Sequence, residues 1–382
     1  MKQLREYLEW TDGSNKYTEQ LLKKTESYKE IIIFGAGIGG IKTFNILENA
    51  KLSDKVVAFS DNNKEKIGKD YAGLKIIAPE TIKGISDETL ILVSSTAYNT
   101  IRKQLHKQGV KKEHIMYFQP ARMLFEKDNT DADFIRNNIQ KFEEVFEILE
   151  DDKSKKIFMS ILNYRITKNI VWLEGMEKFI DAEECQYFDM DILKNYCFEN
   201  GFVDGGAYTG DTLEQFFEFF PQWEGECYCI EAGKDLYIEL EKNIKNLHRE
   251  KIKTYNCALW NKNGTLRFNE AAFGLDSGSH VSETGECMNG VTLDRLLAGK
   301  QADFIKLDIE GAERKALIGA QNIIKTNKPI LAICVYHRPE DLFEVPLLIK
   351  TFCQSEYSFY IRQYRFGQSE TVLYAMPKSR RE

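Results

Sequence analysis

Proline and histidine are scarce, with 7 and 5 copies in 382 residues, and no low-complexity tract occurs. Each shortage closes off a class of protein. Without proline-rich or repeated polar stretches, no segment has the composition of a disordered linker. The histidines form no HExxH or comparable cluster, and the 8 cysteines contain no C-x-x-C pair, so no spacing marks a metal site and none is expected. Cys227 and Cys229 stand one residue apart inside an apparent strand, and free, mostly buried thiols in a reducing compartment account for the set. No apolar run reaches the ~18 residues of a membrane span. Residues 4–10, LREYLEW, are charged and helical in pattern rather than basic and then apolar. No signal peptide is visible there, and a cytoplasmic protein is expected. Basic residues are also short, 52 Lys and Arg against 59 Asp and Glu for a net −7. That balance argues against a nucleic-acid partner, because phosphate contacts need clustered Lys and Arg.

What is present is a globular composition, 43% hydrophobic and 29% charged, on a chain longer than one ordinary core accommodates. Four segments are expected: a helical segment over 1–29, a small Rossmann-like domain of nucleotide-binding type over 30–125, a helical connector or lid over 126–200, and a larger α/β domain over 201–382. In the small domain an apolar run at 31–34, glycines over 35–40 and a stretch carrying Ile41, Phe44 and Ile46 read as strand, turn and helix. Further strands are expected at 56–59, 90–93 and 115–118. Phe134, Ile135, Ile139, Phe142, Val145, Phe146 and Leu149 recur at helical steps and define the connector. At Phe202 the strand–turn–helix logic restarts, and strands follow at 227–230, 254–259, 304–307, 330–335, 357–361 and 371–375. Seven strands alternating with helices imply right-handed crossovers and a mostly parallel sheet, with the last two strands close enough for a hairpin.

Gly35, Gly37 and Gly40 satisfy G-x-G-x-x-G between a strand and a helix, with Asp61 at the end of the next strand. This is a dinucleotide fingerprint, and by itself it supports an NAD-dependent oxidoreductase or epimerase acting on a nucleotide-sugar. Against that, the domain is short of the usual substrate-carrying half, and Tyr98 is followed four residues later by Arg102 rather than by a catalytic lysine. A dinucleotide or nucleotide-sugar ligand and a purely structural or dimerising role both stay open. A non-catalytic glycan-assembly scaffold is the third reading.

The larger domain holds the denser constellation. Residues 202–212, FVDGGAYTGDT, place Asp204 at a strand end and follow it with Gly205, Gly206 and Ala207, then Thr209, Asp211 and Thr212. Glycines there let the backbone approach a ligand at the carboxyl edge of the sheet. Glu231 and Ala232 end the next strand, where Rossmann-like sites hold ribose hydroxyls. Cys257 and Ala258 offer small groups where an adenine ring could lie, although a plain buried strand explains them equally well. Lys306, Asp308 and Glu310 alternate, so they are expected on one face of a strand next to the Asp204 strand. A covered parallel strand should not carry three charges on one face unless they serve a ligand. His337, in YHRP after the fifth strand, is an alternative base.

With FVDGGAYTGDT, IEA, VTLDRLL, DFIKLDIEGAE and AICVYHRPEDLFEVPLLIK in that order, the second half resembles the FkbM family of methyltransferases. The resemblance implies a class I methyltransferase fold binding S-adenosylmethionine, with residues 204–212 cradling its methionine and ribose portions and Glu231 on the ribose. It implies O-methylation of a hydroxyl, often in a sugar or glycan intermediate; for that chemistry Asp308 and Glu310 are the candidate bases or substrate anchors, with Lys306 positioning them. Many relatives have a DVGAN-like loop where this chain has DGGAYTG, so Tyr208 stands in place of a common asparagine. The small domain resembles Rossmann-like domains fused to enzymes of sugar and capsule assembly. The expected partners are a small-molecule or glycan acceptor, with no nucleic acid, no membrane span and an oligomer contact through the small domain.

Overall fold

The computed structural model describes residues 3–10, 14–95, 97–118, 131–169, 171–180, 185–269, 280–281, 285–367 and 369–381. It divides into two compact units, one of residues 1–139, 159–178 and 365–369, the other of 140–158, 179–364 and 370–382. The helical stretch anticipated over 126–200 is shared between them, and the boundary anticipated at 125 lies outside the described residues.

In the first unit, helix α1 (Ser14–Glu26) precedes β1 (Glu30–Phe34), α2 (Ile38–Asn49), β2 (Val56–Ser60), β3 (Asp70–Tyr71), β4 (Leu74–Ile77), β5 (Thr89–Val93), α3 (Tyr98–Lys107) and β6 (Ile115–Tyr117). The sheet order is β3-β4-β2-β1-β5-β6. Its pairings are parallel apart from the β3–β4 hairpin. Strand β1 lies at the centre because Ile31, Ile32, Ile33 and Phe34 are all buried, which suits a strand covered on both faces. One side of the sheet packs Ile31, Ile33, Phe59, Leu90 and Leu92 with Leu47 of α2.

Helices α4 (Asp131–Asn137), α5 (Ile139–Ile148), α6 (Asp152–Thr167), α7 (Val171–Met176) and α8 (Met190–Leu193) follow in the chain. The second unit continues with β7 (Gly201–Gly205), α9 (Asp211–Phe219), β8 (Glu226–Glu231), α10 (Lys234–Asn246), β9 (Ile252–Asn256), β10 (Ala258–Leu259), β11 (Gly264–Asn269), β12 (His280–Val281), β13 (Glu286–Val291) and α11 (Leu293–Leu297). It ends with β14 (Phe304–Leu307), α12 (Glu313–Ile318), α13 (Gln321–Asn327), β15 (Ile330–Cys334), α14 (Asp341–Cys353), β16 (Tyr357–Gln363) and β17 (Thr371–Pro377). Seven strands form one sheet in the order β16-β17-β15-β14-β7-β8-β9. The five from β9 to β15 are parallel, and β17 runs antiparallel between β15 and β16. This is the α/β fold the sequence predicts, with β14 beside β7.

One predicted strand divides. The run 254–259 is two strands, because β9 stops at Asn256 and β10 joins a second sheet of order β10-β13-β11-β12. Asn256 ends the edge strand by turning its amide onto the carbonyls of Glu231 and Ala232, at 3.0 and 3.1 Å. The core of the large sheet is aromatic: Phe202 and Phe216 stack at 4.1 Å, with Phe188 and Phe304 at about the same depth. Rings packed this way hold β7 and α9 in a fixed relation, and the loop between them is where the chemistry gathers.

Candidate active site

Four neighbouring strands, β8, β7, β14 and β15, end on the same edge of the large sheet, and the residues just past those ends form the site. After β7 the chain turns sharply through Gly206, φ +76°, and Gly210, φ +97°. Gly206 admits no side chain, since a Cβ there would lie 1.8 Å from the carbonyl oxygen of Asp308. The backbone N–H groups of Gly206 and Ala207 both donate to the carbonyl of Ile230, at 2.9 and 3.0 Å, which ties the loop to β8. Tyr208 has φ +48° and is half exposed. A left-handed residue at this point explains why asparagine suits it in related loops, since asparagine tolerates that conformation better than an aromatic residue. Gly210 caps α9, so Asp211 and Thr212 form its first turn. Thr209 offers its carbonyl to Asn243, 2.9 Å away.

Glu231 terminates β8 beside this loop and is nearly buried. Its two oxygens accept from the N–H of Tyr208 at 2.9 Å and of Gly233 at 2.7 Å. Burial pushes its carboxyl up, and those two N–H groups act against the rise. Ala232 lies between the two donors in sequence, and Cys257 and Ala258 are buried past the end of β9.

Lys306 and Asp204 form a buried ion pair at 2.9 Å across β14 and β7, and the ammonium also donates to the Gly206 carbonyl at 2.8 Å. A charge this deep is tolerated because it is paired and hydrogen-bonded. Burial raises the Asp204 carboxyl, and Lys306 works against it. Burial also opposes the charge on Lys306, but Asp204 and then Asp308 outweigh it and hold the ammonium well above its usual range. The second oxygen of Asp204, Oδ2, has no hydrogen-bond partner among the described residues.

The predicted shared face of Lys306, Asp308 and Glu310 holds only in part. Strand β14 stops at Leu307; the N–H of Asp308 still pairs with the Gly205 carbonyl, but Glu310 at φ +54° and Gly311 at φ +89° swing the chain into α12. Lys306 turns to Asp204, while Asp308 and Glu310 meet at His337 beyond β15. The Nε2 of that ring lies 3.3 Å from Asp308 and 3.6 Å from Glu310, and its Nδ1 lies 2.9 Å from Glu313. These are ion-pair distances, and neither ring nitrogen is aligned for a hydrogen bond. Burial disfavours the cation, but Glu313, Asp308 and Glu310 overcome it and push the imidazole up to about 10. Asp308 is held ionised against its burial by His337, Lys306 and the Tyr187 hydroxyl.

Two residues of this cluster escaped sequence reasoning. Tyr187 donates its hydroxyl to Asp308 at 2.7 Å and lies with its ring 5.1 Å from the Lys306 ammonium. It has φ +70°, a conformation a bulky residue adopts only where its surroundings demand it. Glu313, wholly buried, begins α12 and accepts from the Ile309 N–H at 2.9 Å. Its acid at a helix start was the available signal, though an ordinary first-turn carboxylate looks the same.

In the first unit, Gly35, Gly37, Gly40 and Asp61 do come together. Asp61 accepts from the N–H of Ala36 at 2.9 Å, from Lys66 at 3.2 Å and from the N–H of Asn63 at 2.9 Å. Its carboxylate therefore closes the glycine turn onto β2.

Residues 204–362 match the methyltransferase FkbM domain. That similarity covers less than half of the chain. Its first matched residue is Asp204, and the match runs through the site, Tyr187 apart, into β16. A crystal structure of methyltransferase FkbM from Methylobacillus flagellatus KT shares the fold, with a TM-score of 0.64 at 20% identity over 96% of this chain and 94% of that one. An rRNA methylase from Streptococcus thermophilus aligns at a TM-score of 0.33 and 11% identity, over 48% of this chain and 90% of that one. Fibrillarin from Aeropyrum pernix, solved with natively bound S-adenosyl-L-methionine, aligns at 0.30 and 10%, over 47% and 66%. Residues 27–116 match a family described as C2185-like, N-terminal, which spans the first unit from β1 into β6. No curated protein matches the chain.

Proposed function

We propose that the FkbM-like domain is an S-adenosylmethionine-dependent O-methyltransferase acting on a hydroxyl of a sugar or glycan intermediate. The observation that carries the cofactor half of this reading is Glu231, a buried carboxylate at the end of β8, fixed by two backbone N–H groups directly beside the glycine loop. Each of its oxygens keeps a lone pair for a ribose hydroxyl. Asp204, whose Oδ2 is buried without a partner, and the loop over 205–212 fit the amino-acid portion of the same molecule, while Cys257 and Ala258 line the place of the base.

When bound, the cofactor supplies an electrophilic methyl carbon. An acceptor hydroxyl oxygen forms a bond to that carbon as the carbon–sulfur bond breaks, its electron pair passing to sulfur, and the hydroxyl proton must go to a base. Asp308, kept ionised, is that base, and Glu310 anchors the acceptor. His337, cationic at neutral pH in its present ion pairs, is the weaker choice. The preference for a saccharide rests on the family resemblance of the two halves of the chain.

Calorimetric titration with S-adenosylhomocysteine tests the reading. Micromolar binding that disappears in Glu231→Ala and survives in Asp61→Ala is expected. Binding of NAD in its place, lost in Asp61→Ala, would overturn the proposal and favour an oxidoreductase.

A further inference from the structure

Around His337 the carboxylates outnumber the cation that faces them. Asp308, Glu310 and Glu313 all approach its ring. Asp341, at the start of α14, adds a fourth acid, pushed up to about 7 by burial and by Glu313. An imidazolium answers one negative charge. Lys306 also helps to hold Asp308 ionised, but its ammonium donates to Asp204 and the Gly206 carbonyl. Uncompensated buried charge is costly, and proteins answer it with a proton or a bound cation.

We infer that Asp308, Glu313 and His337 form a binding site for a divalent cation of the Mn2+ type. One ligand atom from each of the three lies within 4.8 Å of the others. Ligands about 2.1 Å from an octahedral ion stand roughly 3 Å apart when adjacent and roughly 4.2 Å apart when opposite, so the three side chains must draw in by a rotamer adjustment to share one ion. The donor set, two carboxylates and an imidazole, suits a hard or borderline ion with water completing its shell.

A second observation is independent of this clustering. Glu313 is 0% exposed, and its Oε2 has no hydrogen-bond partner. The His337 side chain is 4% exposed, and its ring is held among the three carboxylates at ion-pair distance. Buried polar atoms are nearly always satisfied, so the orphaned Oε2 of Glu313, a side chain that already belongs to the cluster, calls for a ligand. The ion and the ring proton are alternatives for the same imidazole, which makes the imidazolium described above the metal-free form. Asp308 would turn Oδ1 to the ion and keep Oδ2 with Tyr187, whose hydroxyl already orients it.

The test reads the metal directly and requires neither acceptor nor cofactor, so its outcome is independent of the methyltransferase reading. Mn2+ is titrated into the full chain, with free ion followed by electron paramagnetic resonance. One ion per chain is expected, with affinity falling at least ~10-fold in Glu313→Gln, because losing a ligand costs no less than losing an outer-sphere partner. Pulsed measurements should show nitrogen modulation that vanishes in His337→Gln. That modulation keeps the test decisive should Glu313→Gln fail to fold. Absence of Mn2+ binding at millimolar ion, binding unchanged in both variants, or bound Mn2+ without nitrogen modulation would each overturn the inference.

Discussion

Asp303 shows how much one side chain can hold. It stands just before β14 and accepts from the N–H groups of Glu199 and Asn200, both at 2.9 Å, from the Asn200 amide at 2.8 Å and from Arg380 at 2.7 Å. Burial would raise its carboxyl, but those donors win and hold it below the usual range. Its folded pKa is therefore lower than its unfolded value. The stability it contributes is fully present above about pH 4 and is lost as pH falls through the folded value. Asp303→Asn should cost about 3 kcal/mol at neutral pH and flatten the acid limb of the stability profile, as urea denaturation at several pH values will show. An equal loss at pH 3 and pH 7 would mean that its charge is irrelevant. At the same scale, Tyr187 and Glu313 mark the limit of sequence reading. Asp204, Glu231 and Lys306 were legible because strand ends align in a parallel sheet. Tyr187 reaches Asp308 from a segment 121 residues away in sequence, and no local pattern encodes that meeting.

Each unit has a glycine turn between its first strand and the following helix, and packing distinguishes the residues within them. Gly40→Ala should destabilise by about 2 kcal/mol or more, because its Cβ would fall 1.9 Å from the Gly35 carbonyl. Gly37, with open space at the same position, should accept alanine within about 0.5 kcal/mol. Similar chemical-denaturation midpoints for the two variants would contradict this division. Gly206→Ala, with both a backbone clash and a left-handed φ, should lose S-adenosylhomocysteine binding as well as stability in calorimetry. Most strands of both large sheets could be read because apolar runs such as 31–34 and 330–335 leave no other burial. The four-stranded sheet could not. Its strand β13 reads ECMNGV and keeps most side chains at least partly in water, and β10 and β12 are two residues long. The β3–β4 hairpin was missed for the same reason of length. Alternation alone also overextended β14, since it could not reveal that Glu310 adopts a left-handed turn.

At the scale of the whole molecule, the net charge of −7 should leave the protein without affinity for polyanions. It should pass through a heparin column at low salt and bind an anion exchanger, and retention on heparin would reveal a basic face that the composition conceals. No described helix is long and apolar enough to cross a membrane. The order β16-β17-β15 also bears on how the second unit is made. Strand β17 follows β16 in the chain yet lies between it and β15, so a growing polypeptide that has not reached Thr371 exposes the open edge of β15, with Ile330, Leu331 and Ile333 beside it. During synthesis that edge is a template for another chain, and closure of the sheet must wait for a strand almost 40 residues downstream of β15.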